Sequence, residues 1–507
     1  DAIAIIDKIV EVESDGMRRS RYNYTAAVLL RDELNAHDEA IDRLNLVLDD
    51  DPTMLKAFQA IDSMVTKSKD WKTLERSYRK MLKRLPADGQ DQLKITLWSN
   101  LGEIYRTRLK DFKAAAAALD VATKLEPENI QRHIMLAELY ENLMQQSPAE
   151  FVDNAVRQHQ TLIAHEPFRY ESYHALYNIY RSADETDKAY CVAAVLVFLK
   201  KATDDQNAFF QRFYKPDYQM ARQRLSESTL RRHVFHPDED LYLSAILGLI
   251  APAVAHWRGK APSGMKAKDR VDISVDPALF SRVAKYVKDV LNVAQPDVFI
   301  RANDPGDLEI VNLLRDDTVH PTVVVFSGLS RGKADKHLAF ALGRHLMDLY
   351  QPHYAYVSLD RSPQALKQVF MACLKAVGMP VKGEAAALDQ IGREILGRMQ
   401  PGSQDQLKSL IKKFVDAGGS ADVKRWAAAA ELTNYRVGFL LCGDLTTAAQ
   451  MISQEQAVLG SAMSPKDKIP NMEREWVGCS ALTPPKRVIS PKPASSGLTR
   501  KSTGAFP

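Results

Sequence analysis

The sequence predicts a mainly α chain: an α-solenoid of repeated helix pairs, followed by an α+β domain with a small sheet. Three observations carry this. The stretch from Ile95 to Pro127 holds Trp98, Leu101, Gly102 and Tyr105, then Ala115, Leu119 and Ala122, and ends on Pro127. Large and small residues at that spacing let two antiparallel helices lock together, with Gly102 and Ala115 at the close approach. Proline then recurs at 52, 86, 127 and 167. Each one stops a helix, because it lacks an N–H and disfavours helix in the residue before it. Finally, the period changes after Leu291, from helical spacing to short runs of β-branched residues.

The elements follow in order. A leading amphipathic helix is expected near Ala2–Val12. Counting back from Pro52 gives Tyr24, Ala27, Ala40, Leu44 and Val47 at packing positions. Counting back from Pro86 gives Phe58, Ile61, Val65, Trp71, Leu74, Tyr78 and Met81. A fourth pair has Leu136, Ala137, Tyr140 and Ala155, with an insertion around Gln145–Ala149. A fifth has Tyr173, Leu176, Tyr180, Ala189 and Leu196. The pattern resembles the tetratricopeptide repeat (TPR), with about five units over residues 21–203 at a period near 34 residues. The glycine position of Gly102 is Val28, Asp62, Ala137 or Tyr177 elsewhere, so the units are divergent.

Beyond the repeats, Asn207–His236 reads as helix and linker, and Leu241–Trp257 as a buried helix kinked at Pro252. The latter is uncharged, yet too short and proline-broken for a membrane span. Pro262 to Arg270 reads as an exposed loop. Leu279–Leu291 is a helix. Asp297–Arg301, Leu308–Leu314 and Thr322–Phe326 are three short strands. Helices are expected over Ala334–Tyr350, Pro363–Val377, Leu388–Met399 and Gln404–Ala417, with a long one from Val423. Residues after Gln456 are polar, and Pro, Ser and Lys dominate from Pro484, as in a disordered tail.

Strands leading into Leu338–Leu349, with Ala430–Gly438 later, resemble the active-site helices of the M48-type zinc peptidases. That resemblance covers about residues 280–455 and implies a zincin-like domain. In such enzymes H-E-x-x-H supplies two zinc ligands and a general base, and a later Glu the third ligand. Carried onto this chain, the ligand positions hold Arg344, Asp348 and Glu431. His345 stands at the base position, and Tyr435 replaces an Asp of the later motif. Arginine stays protonated and cannot ligate zinc. The implied domain is therefore a degenerate peptidase without catalytic residues, metal or cofactor. Arg344 is expected either to neutralise Asp348 and Glu431 from the vacated cation position or to form a solvated pair with Asp348 alone. A metal held instead by His345, Asp348, His353 and Glu431 is disfavoured by the adjacent arginine. The phosphate-loop spacing is absent.

The TPR resemblance implies a groove lined by the first helix of each unit. In this register it presents Lys56, Gln59 and Lys67, then Ser99, Glu103 and Arg106. Glu138 and Asn142 follow, then His174, Asn178 and Arg181. Polar and basic groups there suit an extended peptide of acidic character.

The 507 residues suggest two or three domains. The expected boundaries are 1–203 for the repeats, 204–270 for a helical linker region, 271–456 for the peptidase-like domain and 457–507 for the polar extension and tail. The net charge of +4 sits in that tail, where Lys486, Arg487, Lys492, Arg500 and Lys501 face no acid. The near-neutral remainder argues against a general nucleic-acid binder. Cysteines 191, 373, 442 and 479 form no C-x-x-C pair, which suits a reducing, cytoplasmic setting. The chain starts without a secretory signal and without Met, so a natural N-terminus further upstream is expected. Together these readings predict a non-catalytic scaffold or adaptor, binding protein partners within a larger assembly. The alternatives are a hydrolase with an unorthodox site around His345 and Glu431, and an adaptor using its basic tail on nucleic acid or anionic membrane.

Overall fold

A computed structural model describes residues 2–215, 224–381 and 384–454. Cys479 and the proline-rich tail from Pro484 lie outside these. The chain divides into two compact units, Asp1–Glu185 and Thr186–Pro507.

The first unit is a row of helix pairs of TPR-like form. Helix α1 spans Ala2–Val12, α2 Gly16–Asp32, α3 His37–Asp50, α4 Leu55–Ser68 and α5 Trp71–Arg84. Then come α6 (Asp91–Glu103), α7 (Phe112–Leu125), α8 (Ile130–Gln146), α9 (Pro148–His165) and α10 (Tyr170–Ser182). Connections of a few residues force neighbours to run antiparallel. Each helix packs on the next. Asp15, Asp70, Asp111 and Asn129 cap α2, α5, α7 and α8 by accepting backbone N–H groups. The four recurrent prolines sit just past the ends of α3, α5, α7 and α9.

The core of these pairs is the predicted one. Ala27, Ala40, Leu44, Val47, Phe58, Ile61, Val65, Leu74, Tyr78 and Met81 are buried, as are Leu101, Ala115, Leu119, Ala122, Leu136, Tyr140 and Ala155. Gly102 shows why a glycine is needed there. A Cβ on it would stand 2.7 Å from Leu119 Cγ. The insertion read at Gln145–Ala149 is absorbed by longer helices. α8 runs on to Gln146 and Pro148 starts α9, where its missing N–H costs nothing. After Glu103, α6 continues as a π-helical segment, Ile104–Leu109.

The second unit begins before residue 203. It contains α11 (Thr186–Phe198), α12 (Asp204–Phe213), α13 (Glu227–His233) and α14 (Leu241–Trp257). The expected fifth pair is therefore divided: Tyr173, Leu176 and Tyr180 are buried in α10, Ala189 and Leu196 in α11. Nor is 204–270 a linker. α14 is apolar on nearly every side and forms the middle of this unit's core, with Leu247, Ile250 and Val254 fully buried. No helix among the described residues is long and apolar enough to cross a membrane.

The four-stranded sheet has the order β1-β2-β4-β3, with β1 Arg270–Val271, β2 Asp297–Arg301, β3 Leu308–Arg315 and β4 Thr318–Phe326. β2 and β4 are parallel, and β3 and β4 form a hairpin. Its two-residue turn, Asp316-Asp317, has both φ positive, the geometry that matches strand twist. β1 begins at Arg270, the last residue of the stretch read as an exposed loop. Two residues are too few to show alternation. Pro321 is tolerated within β4 because it lies before the register with β2, which starts at Thr322. Between and after the strands come α15 (Leu279–Leu291), α16 (Ser327–Ser330), which packs on β2 and β4, and α17 (Asp335–Leu346), the last extended by a 3-10 turn, Met347–Leu349. The chain continues through α18 (Gln351–Ser358), α19 (Pro363–Ala376), α20 (Ala385–Leu396), α21 (Pro401–Asp416), α22 (Val423–Cys442) and α23 (Leu445–Ser453).

Candidate functional site

Two glycines build the site in the second unit. α17 and α22 cross at Gly343 and Gly438. A Cβ on Gly343 would lie 3.1 Å from Gly438 Cα, and one on Gly438 would lie 2.8 Å from the Phe340 carbonyl oxygen. That approach puts Arg344, next to Gly343, against Tyr435, one turn before Gly438. The guanidinium carbon stands 4.5 Å from the Tyr435 ring centre.

Arg344, Asp348 and Glu431 do come together. Burial lowers the Arg344 pKa from its usual arginine value, while Tyr435, Asp348 and Glu431 oppose the shift and Arg361 adds to it. The expected register needs one correction. α17 ends at Leu346, and Asp348 sits in the 3-10 turn, which advances by a larger angle per residue than an α-helix. Asp348 is thereby aimed at Arg361, whose Nη2 donates to its Oδ2. Asn434 Nδ2 donates to its other oxygen at 2.6 Å. Arg361 reaches this position from a left-handed turn after α18, where Asp360 and Arg361 have φ of 54° and 53°. The Tyr356 hydroxyl donates to Glu431 Oε1 at 3.3 Å.

His345 lies beside this group, 4.0 Å from Asp348 Oδ2. Burial and the charges of Arg344 and Arg361 hold its pKa well below 6.5, so the imidazole is neutral. Among the described residues, no three His, Cys, Asp or Glu side chains are placed to hold one metal ion.

His353 belongs to the far end of the same chain of hydrogen bonds. Its Nδ1 meets Asn434 Oδ1 at 3.0 Å and its Nε2 meets Glu239 Oε2 at 3.1 Å. Asn434 already donates to Asp348, so both imidazole nitrogens face acceptors and both carry protons. Burial alone would lower the His353 pKa, but Glu239, Asp348 and Asn434 override it and raise it. Burial would raise Glu239, yet His353 and Thr433 lower it. Thr433 donates its hydroxyl to Glu239 Oε1 and accepts the His236 N–H at 2.9 Å. The Trp426 ring stands edge-on to His353 at 5.9 Å.

Arg361, Asn434, Glu239, Thr433 and Tyr356 were not legible as site residues. Asn434 had a faint signal, because it stands three residues after Glu431 on one helix. The others meet only through the tertiary fold.

In the first unit, Lys56, Gln59, Lys67, Asn142, Asn178 and Arg181 are exposed on α4, α8 and α10. His174 is half-buried. Two expectations change. The Ser99 hydroxyl is buried, because Ser99 shares a helix face with the buried Ile95 and Gly102. Arg106 lies in the π-helical segment, where the α-helical register no longer applies, and it pairs with Glu103 at 2.7 Å. Glu138 accepts from Asn142 Nδ2 through its carbonyl at 2.9 Å.

No protein-family profile matches the chain, and no curated protein matches it. Among solved structures, it is similar to YrrB, a TPR protein with an unusual peptide-binding site. The identity is 15% and the TM-score 0.23, over 41% of this chain and 93% of that one. It is also similar to Naa15/Naa10 bound to HypK-THB, at 14% identity and a TM-score of 0.25. That likeness covers 92% of this chain and 64% of the other, so this chain spans less than two thirds of that length. The reading of the site rests on the chain's own residues.

Proposed function

We propose that this chain is a non-catalytic protein-interaction scaffold whose first unit binds an extended, acidic peptide along its first helices. The observation that carries the reading is the exposure of Lys56, Gln59, Lys67, Asn142, Asn178 and Arg181 on helices separated by packed partners. These groups offer hydrogen bonds and positive charge, which favours main-chain and carboxylate recognition. The second unit is read as a degenerate peptidase-like domain in which guanidinium groups take the place of a cation. Arg344 and Arg361 beside Asp348 and Glu431 support that reading. The buried thiols of Cys373 and Cys442, pushed up to about 12 by burial, suit a reducing, cytoplasmic setting.

Peptide display against the full chain tests the scaffold reading. Acidic extended sequences should be enriched, and the variant Lys56→Glu/Lys67→Glu/Arg181→Glu should lose that enrichment while keeping its helical circular dichroism. Unselective enrichment, or an unchanged result in the variant, places recognition elsewhere. Elemental analysis tests the second part. About one zinc per chain, with chelator-sensitive peptide cleavage, would overturn the non-catalytic reading and return His345, His353 and Glu431 to the centre.

A further inference from the structure

Helix α5 carries a second surface, on the other helix of its pair. Lys72, Arg76, Arg79, Lys80 and Lys83 are all exposed. Their offsets of 4, 7, 8 and 11 place them on one face, over roughly 16 Å at 1.5 Å per residue. Its one acid, Glu75, is turned inward and already engaged, by Arg79 at 3.3 Å and the Tyr105 hydroxyl at 2.5 Å. The Asp70 carboxylate before the helix is spent on capping Thr73. Among the described residues, Lys72, Arg76, Lys80 and Lys83 enter no ion pair. Like charges one turn apart destabilise a helix, so this row is a cost that an opposite charge would relieve.

The neighbour sets the width of what fits. α3 lies beside α5, tied by Arg84 Nε to Asp49 Oδ1 at 2.7 Å. Its exposed residues include Asp38, Glu39, Asp42 and Asp49. Packed helix axes lie about 8–10 Å apart, so the positive strip is bordered on its α3 side by negative charge one helix away. A membrane plane or a nucleic-acid duplex laid on α5 would press its phosphates against α3. A single acidic chain segment would not.

We infer that the outer row of α5 docks an acidic segment of a protein partner, with carboxylates repeating at one helical turn. The surface is separate from the first-helix surface proposed above and does not depend on it.

The probe is a labelled helical peptide, five repeats of Glu-Ala-Ala-Ala, titrated with the full-length protein and read by fluorescence anisotropy. Binding is expected to weaken as salt is raised from 50 to 200 mM. It should fall at least tenfold in Lys72→Glu/Arg76→Glu/Lys80→Glu/Lys83→Glu and survive in Lys56→Glu/Arg181→Glu. The neutral quadruple variant with glutamines guards against misfolding and should show the same loss. Binding by both quadruple variants as tight as that of the unaltered protein would overturn the inference. So would tighter binding to an RNA duplex or to phosphatidylserine vesicles, lost in the same variants. Dimerisation abolished by those variants would make the occupant a second copy of the chain, which also overturns it.

Discussion

Arg361 holds a carboxylate that is almost fully buried, and its removal takes away a charged donor to Asp348 while Asn434 still donates to the other oxygen. Arg361→Ala is expected to destabilise the second unit by about 3 kcal/mol, because an unpaired buried charge is costly. The coupling should vanish when Asp348→Asn is added, as read by urea unfolding of the double-mutant cycle. The His353–Glu239 pair gives a pH signature. Glu239 is lowered from 4.5, so its contribution is complete above that value and is lost as pH falls through the folded pKa. His353 is raised from 6.5, so its contribution is complete below that value and is lost as pH rises through the folded pKa. The melting-temperature gap between the protein and His353→Gln should therefore be widest between pH 4.5 and 6.5. A gap that stays flat from pH 4 to 9 would remove the charged pair from the account. In the first unit, Gly102→Leu should cost about 1–3 kcal/mol by overpacking against Leu119. An unchanged melting curve would count against the helix register.

At the scale of elements, β2 and α15 were legible to the residue, β3 nearly so, and β4 only from Thr322 onward, its first turn-side residues from Thr318 being missed. Valine runs bounded by turn residues and a clear apolar stripe leave little choice. α18 was not legible. It is buried on almost all sides from Pro352 to Ser358, so it shows no amphipathic period. Pro352 alone marked its start. The hairpin turn invites a test. Asp317 sits at a φ of 58°, which suits glycine better. Asp317→Gly should raise the unfolding midpoint of the second unit slightly, and a fall would show that the Asp317 contact with His256, at 3.1 Å, matters more.

At the scale of the whole molecule, the repeats could be read because their contacts are local. Gly102, Leu119 and Pro127 lie within one helix pair, and a fixed period repeats the same physics. The network from Arg361 to Thr433 could not, because Glu239 and Thr433 are 194 residues apart and chemistry alone does not say which buried acid meets which donor. The domain boundary failed for a related reason. α11 keeps the repeat's composition but belongs by packing to the second unit. Two compact units should unfold in two denaturant transitions, with Gly102→Leu shifting one and Arg361→Ala the other. A single transition moved by both variants would show the units to be energetically one.

The π-helical segment at Ile104–Leu109 has a consequence in the language of inheritance. Such a segment is an α-helix carrying one surplus residue. Losing one codon there would restore an ordinary helix, keep the pair folded and swing Tyr105, Arg106 and Arg108 to new directions. Tyr105 now holds Glu75, and Arg108 covers Trp71 at 4.7 Å. A lineage that gained or lost this residue would thus redraw these contacts, and the packing of Ile104 and Leu109 with them, in one genetic event.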